Sequence, residues 1–116
     1  MRVVSVVAVF VAAVAAGCST QSVGEACEDV ADRMCGRLVV CGALDYGDRA
    51  DCVYAMVGGC CSGGECQDDV ASPANVDRCV DELGDVSCAT LNHWAANPSV
   101  VTAPMPAICR GVASAK

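Results

Sequence analysis

Apolar and polar positions fall into two regimes along the chain. Val3 to Ala16 is apolar at every position except Ser5 and shows no period. These fourteen residues are fewer than the roughly 20 that a bilayer-spanning helix needs. They match the h-region of a secretory signal, with Met1 and Arg2 as its positive start. Past Gly24 the pattern becomes periodic. Cys27, Val30, Ala31, Met34, Cys35 and Leu38 recur at three- and four-residue steps, with Glu25, Glu28, Asp29, Asp32, Arg33 and Arg37 between them. That spacing predicts an amphipathic helix to about Cys41. Ser22-Val23-Gly24-Glu25 is a capping box at its start, and Gly42 is a left-handed stop at its end. Gly36 costs helix stability relative to alanine and leaves room for a close neighbour.

A second helix is expected from Asp48 as N-cap, with Cys52, Ala55, Met56 and Cys60 as its apolar stripe and Gly58-Gly59 as a frayed end. Cys61 to Asp69 is rich in turn residues and has no period. The third helix is framed by Ser72 as cap, Pro73 in the first helical position and Gly84 past the end. Val76, Cys79, Val80 and Leu83 line its apolar face. A short fourth helix runs from the cap Ser87 through Leu91 and Trp94 and ends before Pro98. The tail carries Pro104 and Pro106, with Cys109 to pin it. No segment alternates with period two. The expected fold is all-α: a small disulfide-stapled domain of three to four short helices, after a cleaved N-terminal signal. The divisions are a signal over 1–17, a tether over 18–24 and a cysteine-rich helical domain over 25–116.

Composition sharpens this picture. Beyond the signal the only aromatics are Tyr46, Tyr54 and Trp94, and most apolar residues are Ala, Val and Cys. Such side chains bury little area, so at about 25 cal/mol per Å² they make a thin core. A small domain of this kind benefits from covalent staples. Without Arg2 the chain has six basic and fourteen acidic residues, a formal charge of −8. Clustered Lys and Arg, which nucleic acid and anionic membrane surfaces require, are not expected. Acidic charge on an exported domain favours solubility.

Ala15-Ala16-Gly17-Cys18 closes the apolar run. Small residues leading into a cysteine resemble the bacterial lipobox, and the resemblance implies that Cys18 is diacylated on sulfur and becomes the mature N-terminus. The membrane partner is then reached through an N-terminal lipid anchor. Ser19 follows, where enteric inner-membrane lipoproteins typically carry Asp, so the expected place is the outer membrane. The alternative is an ordinary signal cut after Ala15 or Ala16 and a secreted, soluble protein. Cysteine arithmetic supports lipidation. The chain has eleven cysteines, an odd number, and assigning Cys18 to lipid leaves ten.

Those ten are the disulfide candidates Cys27, Cys35, Cys41, Cys52, Cys60, Cys61, Cys66, Cys79, Cys88 and Cys109. Cys27 and Cys35 are eight apart on the first helix, as are Cys52 and Cys60 on the second. At 1.5 Å rise per residue each pair spans about 12 Å on one face. Two antiparallel helices could thus be bridged twice, Cys27 to Cys60 and Cys35 to Cys52. The arrangement resembles the twin-CX(n)C helical hairpin. The neighbours Cys60 and Cys61 should take different partners. Cys88 with Cys109 would tie the tail to the fourth helix, leaving Cys41, Cys61, Cys66 and Cys79 to pair among themselves.

Motifs for chemistry are few. Gly-x-Ser-x-Gly, Ser-x-x-Lys, His-Glu-x-x-His and phosphate-cradling glycine loops do not occur, nor does C-x-x-C. No enzyme activity, cofactor or metal site is expected. His93, the single histidine, reads as a surface residue. Zinc would have to use Cys61 and Cys66, or adjacent cysteines with His93. Asp77, Asp81 and Asp85 are four apart along the third helix, the last at or beyond its end, and Asp45, Asp48 and Asp51 are three apart around the start of the second. Both series read as solvated faces.

Ala/Val richness, the junctions Cys35-Gly36, Cys41-Gly42 and Ser87-Cys88, and the late Cys109 give the chain one further likeness. With its lipobox-like end, it resembles the small cysteine-rich lipoproteins of myxobacterial type. The resemblance implies an envelope location and stapled helices, and no particular activity. The expected function is that of a non-catalytic envelope or surface lipoprotein with a structural or protein-interaction role. The alternatives are an extracellular small-ligand or metal-binding module, or a hydrolase inhibitor presenting Ser62-Gly63-Gly64-Glu65 between cysteines.

Overall fold

The capping signals become helix ends in the computed structural model, which describes residues 20–98 and 103–116. Cys18 and the signal segment lie outside the described residues. Among the described residues four helices carry the fold: α1 (Val23–Val40), α2 (Arg49–Cys60), α3 (Pro73–Leu83) and α4 (Cys88–Ala96). Short 3-10 turns occupy Tyr46–Asp48, Gly63–Gln67 and Ala107–Cys109. No strand occurs among the described residues, so the domain is all-α. Its only extended pairings there are isolated bridges of Ser22 with Asp69 and Val70 with Ala115.

At the start of α1 the Ser22 hydroxyl accepts from the Glu25 N–H, and the Glu25 carboxylate accepts from the Ser22 N–H, each at 3.1 Å. Two donors that the helix itself cannot satisfy are thereby paired. Gly42 ends the helix at φ +79°, a conformation that side-chain-bearing residues rarely adopt. Ser72 caps α3 through the Asn75 N–H, and Ser87 caps α4 through the Thr90 N–H.

Two expectations about the second helix are corrected. Asp48 stands at the N-cap position of α2 but makes no side-chain cap bond. Its helix also runs through Gly58-Gly59 to Cys60, whose link to Cys27 anchors that end. The Val23 N–H donates to the Asp68 carbonyl at 2.8 Å and the Val70 N–H to the Gln21 carbonyl at 2.9 Å, joining the start of α1 to residues 68–70.

α1 is the hub. Val30, Met34 and Leu38 on its inner face pack with Cys79 and Leu83 of α3, Leu91 of α4, and Cys109. Toward its start, Val23 and Cys27 pack with Cys61, and Ala26 with Val70 and Val76. Gly24 lets the backbone of the 63–67 turn come close, since a Cβ there would lie 2.9 Å from the Cys66 carbonyl oxygen. Among the described residues fifteen apolar side chains are buried; five of them are cysteines and none is aromatic. Sulfur thus supplies volume that large side chains would otherwise fill. The tail closes over residues 69–71: the Ala71 N–H donates to Ser114 and the Lys116 N–H to Asp69.

Candidate functional site

All ten cysteines among the described residues are paired. Cys27 joins Cys60 and Cys35 joins Cys52, with Cα separations of 5.9 and 6.0 Å. This is the double staple that the equal eight-residue spacings allow on antiparallel helices. Cys61 joins Cys66, so the neighbours Cys60 and Cys61 do take different partners. The expected Cys88–Cys109 pair does not form. Cys109 bonds Cys79, and Cys88 bonds Cys41. The reason lies in packing: the 107–109 turn lies on α3 rather than on α4, where Cys79 is wholly buried and only a buried partner can reach it. Cys88, at the exposed start of α4, instead meets the end of α1, where Asn92 also donates to the Cys41 carbonyl.

Five disulfides mark a protein that folds in an oxidising compartment, outside the cytoplasm. No helix among the described residues is long and apolar enough to cross a membrane.

The double staple fixes a helix that packs on α1 through half-buried side chains only. α2 contains no buried residue. Met56 and Val57 are half-buried, while Tyr54 is 84% exposed and Tyr46, in the turn before the helix, is 79% exposed. Tyr46, Ala50 and Val53 line a shallow hollow of about 540 Å³ together with Asp32, Gly47 and Arg49. Asp45, Asp48 and Asp51 are exposed and close to the tyrosines in sequence. Trp94 is the one aromatic among the described residues that packs against the core, half-buried, while both tyrosines are left in water.

A second hollow, of about 250 Å³, lies between α1 and α2. It is lined by Arg33, Arg37 and Arg49 with Asp32, Gly36 and Val40. Arg49 pairs with Asp32 at 2.8 Å, the only ion pair among the described residues. With both side chains partly exposed, such a pair contributes about 0.2–1 kcal/mol. Gly36 has a specific role here. A Cβ on it would lie 3.2 Å from Nη2 of Arg49, so the glycine lets the guanidinium lie across the helix. Arg37 donates to the Val86 carbonyl, and the Arg33 guanidinium lies against Gly84 at the end of α3. The Nε atoms of Arg37 and Arg49 are shielded from solvent and have no hydrogen-bond partner. A donor in that state costs about 1–3 kcal/mol.

The remaining candidates are scattered. His93 is exposed near the end of α4, and its carbonyl accepts from Asn97. Asp77, Asp81 and Asp85 are exposed along and beyond α3. Among the described residues no three His, Cys, Asp or Glu side chains are grouped as metal ligands. Cys61 and Cys66, which a zinc site would use, are bonded to each other. The Ser62–Glu65 loop is exposed and wound into the 63–67 turn rather than extended.

Neither hollow was identified from sequence. The signals were there: Tyr46, Val53 and Tyr54 fall outside the apolar stripe of the second helix. Arg33 and Arg37 place like charges at i,i+4, which is unfavourable on a bare helix. No protein-family model, curated protein or solved structure matches the chain.

Proposed function

We propose that this protein is a non-catalytic lipoprotein of the cell envelope, anchored through Cys18, that works by protein–protein contact through the outer face of α2. The observation that carries this reading is a helix with no buried residue, fixed by two disulfides, with Tyr46 and Tyr54 in solvent. Stapling removes the entropy that a loose helix would lose on binding. Tyrosine is also among the side chains that dominate interface energies. Asp45, Asp48 and Asp51, exposed and close to the tyrosines in sequence, favour a cationic partner surface, because a guanidinium or ammonium can stack on tyrosine and pair with a neighbouring carboxylate.

All described cysteines are in disulfides, and the one histidine is exposed and without an acidic partner within the described residues. The anchor rests on the lipobox-like end, and the short tether would hold α2 close to the membrane. Ser19 favours the outer membrane.

The test is a photo-crosslinking amino acid placed at Tyr54 in the native host. The expected result is a discrete adduct with one protein, abolished by Asp48→Lys with Asp51→Lys. Adduct formation that survives this charge reversal, or none from Tyr54 or Tyr46, would defeat the proposed face.

A further inference from the structure

We infer that the groove between α1 and α2 is a binding site for a phosphoryl group, held by Arg33, Arg37 and Arg49. This goes beyond the contact role of α2 and does not depend on it. The charge distribution is the first argument. Six basic residues lie among the described ones, and three of them line this one groove in a strongly acidic chain. Asp32 neutralises Arg49, but no carboxylate among the described residues pairs with Arg33 or Arg37. With fourteen acidic residues to draw on, two adjacent guanidinium groups on one helix face remain unneutralised.

The second argument is hydrogen-bonding capacity. Among the described residues Arg33 makes no side-chain hydrogen bond, and Arg37 and Arg49 each commit only Nη2 to the protein. An oxyanion drawing on these planar forks would satisfy donors that are otherwise idle. The third is shape: Gly36 keeps the groove floor flat, and the hollow of about 250 Å³ is large enough for a phosphate and too shallow for a large ligand. Three arginines and one aspartate give the lining a formal charge of +2, which complements a phosphate dianion better than a carboxylate.

The test is NMR of the arginine Nε–H groups of the exported, oxidised protein, titrated with inorganic phosphate and separately with acetate. The expected result is saturable shifts at Arg33, Arg37 and Arg49, with Arg78 and Arg110 unmoved and acetate much weaker. Arg33→Gln removes an exposed charge and should weaken phosphate binding about tenfold with an unchanged melting temperature. Arg49→Lys keeps the charge and loses the fork, and should also weaken it. The source of the phosphoryl group is read by sedimenting the Cys18→Ala protein with phosphatidylcholine vesicles that do or do not contain phosphatidic acid. Arg33-dependent pelleting with phosphatidic acid assigns a lipid headgroup; binding of free phosphate without pelleting assigns a soluble phosphate. Either upholds the site. Uniform, unsaturated shifts at all arginines, acetate equal to phosphate, or an unaffected Arg33→Gln would overturn it.

Discussion

Cys41 and Cys88, with Cα atoms 5.2 Å apart, form the one bridge among the described residues that joins the two covalent halves of the domain. Cys27–Cys60, Cys35–Cys52 and Cys61–Cys66 all lie within residues 27–66, and Cys79–Cys109 within 79–109. Without Cys41–Cys88, the second half is held to α1 by packing and a few hydrogen bonds, such as Arg37 to the Val86 carbonyl and Asn92 to the Cys41 carbonyl, and α4 buries only Leu91. A loop of 47 residues corresponds to about 4 kcal/mol of chain entropy. Neither cysteine is buried, so replacing both leaves no cavity to confuse the result.

Cys41→Ala with Cys88→Ala should therefore cost up to about 4 kcal/mol in urea unfolding. Trp94, on α4, reports the second half separately. Its fluorescence transition should precede the far-ultraviolet circular dichroism transition in this variant and coincide with it in the parent. Coincident, unshifted transitions in the variant would show that packing and hydrogen bonds alone couple the halves.

The glycines of the two paired helices should respond in opposite directions. Gly24→Ala drives a Cβ to 2.9 Å from a backbone oxygen, and overpacking of that kind costs about 1–3 kcal/mol. Gly58 and Gly59 are helical with open space where a Cβ would go, so alanine at each should stabilise by about 0.5–1 kcal/mol. Denaturant midpoints of the three variants give the comparison. A neutral Gly24→Ala would show that the close approach of the 63–67 turn is not maintained in solution.

Much of this fold was legible because its signals are local. Ser22 with Glu25, Gly42, Ser72 with Pro73, and Ser87 each act within one turn, and the ends of α1, α3 and α4 follow from them. The double staple was legible because eight-residue spacings on two helices define their own register. The Cys88 and Cys109 partners were not. They depend on the tail folding back over α3, where Ala71, Ser114 and Lys116 hold it by backbone bonds that carry no side-chain signature. The exposed tyrosines and the arginine groove were missed for a related reason. A helix with nothing buried cannot be told from an amphipathic one until its neighbours are placed.

Core substitutions set the scale for the helices. Leu83→Ala, Leu91→Ala and Met34→Ala remove the largest wholly buried side chains, and each should cost about 2–5 kcal/mol. Tyr54→Ala should lie within about 0.5 kcal/mol of the parent, since the ring is in solvent. Equilibrium unfolding of the oxidised variants is the measurement. A large loss at Tyr54 would place that ring in the core and remove the reason for reading α2 as a contact face.

Cys18→Ala should release the protein from membranes, because the proposed lipid is its anchor. Acyl chains contribute about 0.8 kcal/mol per buried methylene, so the parent should partition fully into detergent. Detergent partitioning that is the same with and without Cys18 would reject lipidation at this residue.

The central claim is that disulfides, more than the apolar core, hold these helices together. It is tested by a thermal melt followed by circular dichroism, with and without reductant, on protein whose intact mass shows the loss of ten hydrogens that five bridges require. Bridges of about 2–4 kcal/mol each account for much of the 5–15 kcal/mol typical of a domain. The account predicts a cooperative melt for the oxidised protein, and weak helicity without a cooperative transition after complete reduction. A cooperative transition that survives mass-verified reduction within a few degrees of the oxidised one would contradict it.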